Sequence, residues 1–201
     1  IIPPITNDEA YELFDLVYRT VDGQDLALDI RVPAGPGPFP AVFIIHGGGF
    51  SSGDKATGVA AAWAEYLPTV GYASISANYR LSGGGPNATG VFPGPLQDVK
   101  CGLRWTRSNA EALHINPDAI YSLGHSAGGS AITSASREGS LCELKPELVV
   151  WSDASYGSWF EAAWDGCLGS SVIDQHVLVR KWDKPYAQIR EMFKRRFNKE
   201  I

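Results

Sequence analysis

Apolar and polar residues alternate with a two-residue period from Phe14 to Thr20 and again from Leu26 to Val32, with Asp22-Gly23 between the two runs. Strand side chains point to opposite faces in turn, and Asp-Gly accepts the left-handed backbone of a tight turn. The pattern therefore predicts an antiparallel hairpin with one face covered. Pro33 to Pro40 is a Pro/Gly-rich connection that continues neither strand. Pro40 to Ile45 is an unbroken apolar run, read as a buried strand, and it feeds the glycine run that starts at His46.

The period then changes. Gly58 to Val70 is rich in alanine, with Trp63 and Leu67 at helical spacing, and is predicted as a helix. Tyr72 to Asn78 reads as a strand. Pro95 to Glu111 reads as a helix with Val99, Leu103, Trp105 and Ala110 on its apolar face. Ala119 to Leu123 is a strand, Ser126 to Arg137 a helix, and Leu148 to Trp151 a strand that ends at Ser152-Asp153. Strands alternating with helices predict an α/β fold, a mainly parallel sheet flanked by helices with an antiparallel N-terminal hairpin. Beyond Asp153 the periodicity weakens. Tyr156 to Leu168 is aromatic-rich, Val172 to Lys181 has strand composition, and Ala187 to Phe197 reads as an amphipathic helix.

The 201 residues show no composition shift, so residues 1–201 are expected to form a single domain. A net charge of −5, with Lys194-Arg195-Arg196 as the main basic block, argues against nucleic-acid binding. No apolar run approaches a membrane span and no signal-peptide pattern is present, so a soluble protein is expected, cytoplasmic or secreted. Three irregularly spaced cysteines show no metal-ligand pattern, and no metal or cofactor is expected. Asn87-Ala88-Thr89 is a glycosylation sequon of the kind that also arises by chance.

Two motifs carry chemistry. Gly124-His125-Ser126-Ala127-Gly128 follows the apolar run that ends at Leu123 and precedes a small-residue helix. A serine at the centre of G-x-S-x-G between strand and helix sits on a sharp turn with its hydroxyl clear of the sheet, so Ser126 is the candidate nucleophile. Upstream, His46-Gly47-Gly48-Gly49-Phe50 ends the Pro40–Ile45 strand. A buried strand ending in three glycines leaves backbone N–H groups free to converge where negative charge develops on a reacting carbonyl.

These two motifs, with Asn78-Tyr79-Arg80-Leu81, Gln97-Asp98-Val99, Asn116-Pro117 and the further glycine Gly129, resemble the α/β-hydrolase family. More narrowly they resemble its hormone-sensitive-lipase-like and carboxylesterase-like branch. The resemblance covers about residues 14 to 152, with the motifs in the family's order. It implies a serine esterase with Ser126 as nucleophile and the N–H groups of Gly48, Gly49 and Ala127 as the oxyanion hole. Asp98 lies in a segment that the family uses structurally, and His46 and His125 are expected to shape their own turns.

A serine nucleophile needs a base, usually a histidine oriented by a carboxylate, and in this fold the chain order is serine, acid, histidine. Of the four histidines only His176 follows Ser126, so it is the base by elimination. Asp153, at the end of the next strand, is the favoured acid, with Asp165 and Asp174 as alternatives and a cap or turn role as the competing explanation. If Val177 to Trp182 is a later strand of the sheet, Asp183 falls at its carboxyl end and His176 at the wrong edge.

The expected partner is a small-molecule ester, with a short-chain or aromatic acyl group, because no long apolar lid segment is present. Oligomeric state is not readable from the sequence. A binding or receptor protein on a shortened scaffold, lacking the last strands and the base, is the alternative from another class.

Overall fold

The computed structural model describes residues 9–82 and 93–135, with the strands at 149–152 and 177–180. The described strands form one sheet in the order β1-β2-β4-β3-β5-β6-β7. They are β1 (Tyr11–Val21), β2 (Gln24–Val32), β3 (Phe39–Ile45), β4 (Ala73–Ala77), β5 (Ile115–His125), β6 (Val149–Ser152) and β7 (Val177–Arg180). β1 and β2 pair antiparallel and β2 runs antiparallel to β4, while every pairing from β4 across to β7 is parallel. This is the expected α/β architecture with its N-terminal hairpin at the sheet edge.

The hairpin closes on Asp22 and Gly23, with φ of 52° and 77°, between the paired residues Val21 and Gln24. Positive φ at both central residues gives the turn whose twist matches that of its strands, which is why Asp-Gly marks it. Among the described residues three α-helices flank the sheet: α1 (Gly58–Tyr66), α2 (Gly94–Ser108) and α3 (Ala127–Ala135). Residues of β3 alternate between the two faces. Ala41, Phe43 and Ile45 pack with Leu96, Val99 and Leu103 of α2 and Ala131, Ile132 and Ala135 of α3. Val42 and Ile44 pack with Ala60, Trp63 and Ala64 of α1.

Several boundaries differ from the periodicity, each for a local reason. The helix predicted to Val70 ends at Tyr66 and tightens into a 3-10 turn at Leu67–Val70. Pro68 lacks the N–H that an α-helix would use there, and Gly71, at φ 85°, closes the turn. α2 stops at Ser108 rather than Glu111, with Asn109 as its cap, where the backbone N–H (3.1 Å) and the side-chain amide (2.7 Å) both donate to the Trp105 carbonyl. β5 begins four residues before the predicted Ala119, because the run Asn116-Pro117 is absorbed as an irregularity between the Phe39–Ile115 and Ala41–Ile120 pairs. Val177–Arg180 is a strand, within the stretch of strand composition. The predicted Ala187–Phe197 helix, the Tyr156–Leu168 aromatic group and the Asn87 sequon lie outside the described residues.

Candidate functional site

The carboxyl end of β5 turns directly into α3, and Ser126 is the single residue between them. Its φ is 51°, a left-handed conformation that a side chain disfavours. Such backbone persists where its surroundings over-determine it, and here two glycines allow the close approach. A Cβ on Gly124 would stand 2.5 Å from the Gly128 carbonyl and the Gly129 nitrogen. A Cβ on Gly128 would collide with the Ile45 carbonyl oxygen and reach within 2.6 Å of that of His46. The first turn of α3 therefore lies against the end of β3, where the glycine loop leaves the sheet. Ser126 opens the helix by accepting the Ser130 N–H at its carbonyl (3.1 Å).

The glycine loop covers this turn. A Cβ on Gly47 would lie 3.1 Å from the Ser126 Cβ and 2.6 Å from the His125 Nδ1. Gly48, Gly49 and Phe50 follow at φ of 121°, 61° and 61°. Among the described residues, the N–H groups of Gly48, Gly49 and Ala127 make no hydrogen bond. Ala127 is the first residue of α3, where the N–H groups are unpaired within the helix and the helix dipole favours negative charge. The predicted serine and its predicted donors thus come from three neighbouring pieces of backbone. His176 and Asp153 lie outside the described residues, as do Asp165, Asp174 and Asp183.

The strands bear on where a base and an acid can come from. β6 and β7 both run parallel to β5, and Arg180, Ser152 and His125 are level across the sheet. Val177 is level with Val149 and Ser122, three residues before His125. At a strand rise of about 3.3 Å per residue, the amino end of β7 stands roughly 10 Å short of the serine turn.

Polar residues around the glycine loop hold it in place. His46 is buried, stacks on the Tyr79 ring at 4.4 Å and 15°, and places Nδ1 2.7 Å from the Gly47 carbonyl. The Tyr79 hydroxyl donates to the His46 carbonyl (3.2 Å). His46 shapes its own turn, as expected. Burial pulls its imidazole below the ordinary value of 6.5, against the opposing pulls of the Gly47 carbonyl and the Asp54 charge. The unfolded chain therefore binds more protons here than the folded one, and stability falls as pH drops below 6.5 towards the folded value. The melting temperature of wild type is expected to decline more steeply over that acid range than that of His46→Gln, which a pH series of melting curves on both proteins checks.

Asp54 and Lys55 tie the loop's exit to the residue after β4 and to the N-terminal hairpin. Asp54 accepts the Ala56 N–H (2.8 Å) and the Asn78 side-chain amide (2.8 Å). The Asn78 Oδ1 in turn accepts the Lys55 N–H (2.7 Å). The Lys55 ammonium is buried and lies 2.8 Å from both Asp15 and Asp29. Burial pulls its pKa down, but the hydrogen bonds and charges of the two aspartates more than offset this, and it stands above the ordinary value. Nothing local in the sequence set Asp29 apart, since it falls at a polar position of the alternating pattern of β2. Asp98 is fully buried and accepts from Arg19 (2.7 Å) and Arg80 (2.8 Å), the structural role expected of it. Among the described residues no group of three or more His, Cys, Asp or Glu is arranged to hold a metal, and no helix is long and apolar enough to cross a membrane.

A strand-to-helix serine turn under a glycine loop, on a mainly parallel sheet, defines an α/β-hydrolase. Residues 28–143 match the BD-FAE family model, and the chain belongs to that family. It is 30% identical over 178 residues to versiconal hemiacetal acetate esterase of Dothistroma septosporum, covering 81% of this chain and 52% of that protein. It is 29% identical over 129 residues to esterase B1 of Culex pipiens, covering 61% of this chain and 23% of the relative. The chain thus spans about half or less of the length of these curated relatives. The structure of Thermogutta terrifontis esterase 2 phosphorylated by paraoxon superposes with a TM-score of 0.60 at 24% identity, covering 77% of this chain and 58% of that one. That likeness is one of fold.

Proposed function

We propose that the protein is a serine carboxylester hydrolase of the hormone-sensitive-lipase-like and carboxylesterase-like branch, acting on short-chain or aromatic-acid esters. The observation that carries this reading is the left-handed Ser126 at the head of α3, with the Gly47 backbone packed against it and, on either side, N–H groups that are unpaired among the described residues. The esterase activity in the names of the relatives is consistent with it. Ser126 Oγ attacks the ester carbonyl, and a base takes its proton and returns it to the leaving alcohol. Water then releases the acyl group from the serine by the same route. The N–H groups of Gly48, Gly49 and Ala127 receive the oxyanion of both tetrahedral intermediates, each donor contributing about 3 kcal/mol.

For the acid, Asp153 directly follows the last residue of β6, and Asp183 follows β7 by three residues. Both strands end on the side of the serine turn. For the base, His176 is the histidine the chain order selects, yet it precedes β7, whose amino end is offset from that turn. A base at position 176 has to bridge this offset. Hydrolysis of p-nitrophenyl acetate and butyrate by wild type and His176→Ala tests the scheme. Turnover by wild type with a loss of several orders of magnitude in the variant assigns the base. Turnover in both removes His176 from the triad and leaves the serine mechanism standing. An inert wild type overturns the hydrolase reading in favour of a binding protein on this scaffold.

A further inference from the structure

The glycine loop is held from outside by the segment after β4. Asn78 bridges Asp54 and Lys55 at the loop's exit, and Tyr79 supports His46 at its entry. Four residues after Asn78, Ser82 grips the middle. Its N–H donates to the Phe50 carbonyl at 2.6 Å and its hydroxyl donates to the same oxygen at 2.9 Å. Phe50 is the one residue of the left-handed stretch 48–50 that is not glycine, at φ 61°. A bulky residue holds that conformation only where contacts on it outweigh the alternative. Contacts on Phe50 include the two Ser82 donors and the edge-on packing of its ring against Tyr79 at 6.0 Å.

The consequence follows from peptide planarity, which fixes the C=O and N–H of one unit in opposite directions. The Phe50 carbonyl and the Ser51 N–H belong to one peptide, so holding the carbonyl aims the N–H. That N–H donates to the Gly48 carbonyl at 3.1 Å. The Ser52 N–H reaches the same oxygen at 3.0 Å, and the Ser51 and Ser52 hydroxyls at 3.2 Å and 3.1 Å. The Gly48 carbonyl and the Gly49 N–H in turn share one peptide. With the carbonyl drawn towards Ser51 and Ser52, the Gly49 N–H faces the other way. Two peptide planes and two hydrogen-bonded links, Ser82 to Phe50 and Ser51 to Gly48, thus connect Ser82 to an N–H that makes no bond within the described residues.

We propose that Ser82 is a positioning residue for oxyanion stabilisation, holding the Gly49 N–H in its direction through the Phe50–Ser51 and Gly48–Gly49 peptides. This rests on the esterase reading above. Stabilisation of the oxyanion belongs to the transition state, so loosening the donor lowers kcat and leaves KM nearly unchanged.

The test compares wild type with Ser82→Thr and Ser82→Val on p-nitrophenyl acetate, since threonine and valine share a shape and only threonine keeps the hydroxyl. The expected result is a loss in kcat of about tenfold for the valine variant, with KM held and kcat restored by threonine. Affinity for a trifluoromethyl ketone, whose hemiketal oxygen imitates the oxyanion, falls in step with kcat. Wild-type kcat in Ser82→Val overturns the proposal while the esterase reading stands. Equal losses in both variants, accompanied by a drop in melting temperature, also overturn it and leave Ser82 a structural residue. No turnover by wild type removes the esterase reading and the proposal together.

Discussion

Replacing Ser126 with alanine is expected to lower kcat on p-nitrophenyl acetate by roughly 10⁴- to 10⁶-fold, the range seen when a serine hydrolase loses its nucleophile. Stability should hardly change. Alanine retains the Ser126 Cβ, against which the Gly47 backbone packs. Alanine also occupies the φ of 51° at a cost similar to that of serine. Loss of turnover with an unchanged melting curve therefore separates the chemistry of the hydroxyl from the architecture of the turn. An activated phosphonate provides a second readout, because it should label wild type and leave Ser126→Ala unmodified, as intact mass spectrometry would record. Residual turnover close to wild type would move the nucleophile elsewhere.

Asp98→Ala is expected to cost about 3–5 kcal/mol, the effect of removing one partner from a buried ion pair. The Asp98 side chain has no exposure, and those of Arg80 and Arg19 have 8% and 27%. Without the carboxylate the Arg80 guanidinium keeps, among the described residues, the Gly94 carbonyl (3.1 Å) and the Gln97 side chain (3.4 Å), neither of which carries a charge. The Arg80 N–H loses its acceptor as well (3.0 Å). Much of the stability of an ordinary domain is then gone. Urea unfolding should show a clearly lower midpoint, and thermal unfolding a drop of roughly 10 °C. Asp98→Asn, which keeps the size and part of the hydrogen bonding, is expected to lose less. Because Arg80 lies between Tyr79 and Ser82, activity in Asp98→Ala should fall along with stability. A variant as stable as wild type would mean that the two arginines find other partners.

The positions of the strands and the two chemical motifs were legible in the sequence because each rests on local rules. Alternation fixes which face of β1 and β2 is covered. Asp22-Gly23 fixes the hairpin turn through its positive φ, and Gly124 and Gly128 announce a turn tight enough that a Cβ would strike backbone. Element ends differ from the periodicity by a few residues near Pro68, Asn109 and Pro117, where a missing donor, a capping amide and a strand irregularity set the boundary. The C-terminal third was the least legible part. Composition marked Val172 to Lys181 as strand-like, but the pairing of Val177 with Val149 sets its level against the serine turn, and that relation is not written in either segment alone.

The sequence by itself determined the α/β class, the serine on its strand-to-helix turn and the glycine loop, since these depend on backbone conformations that only certain residues tolerate. Tertiary structure alone decided what holds the loop. The burial of Lys55 between Asp15 and Asp29 comes from how the hairpin packs on the loop. Ser82 lies 32 positions from the carbonyl it grips, and Asp98 lies 79 positions from Arg19. Contacts at such separations arise from how the sheet orders its strands, and no local pattern of residues encodes that order.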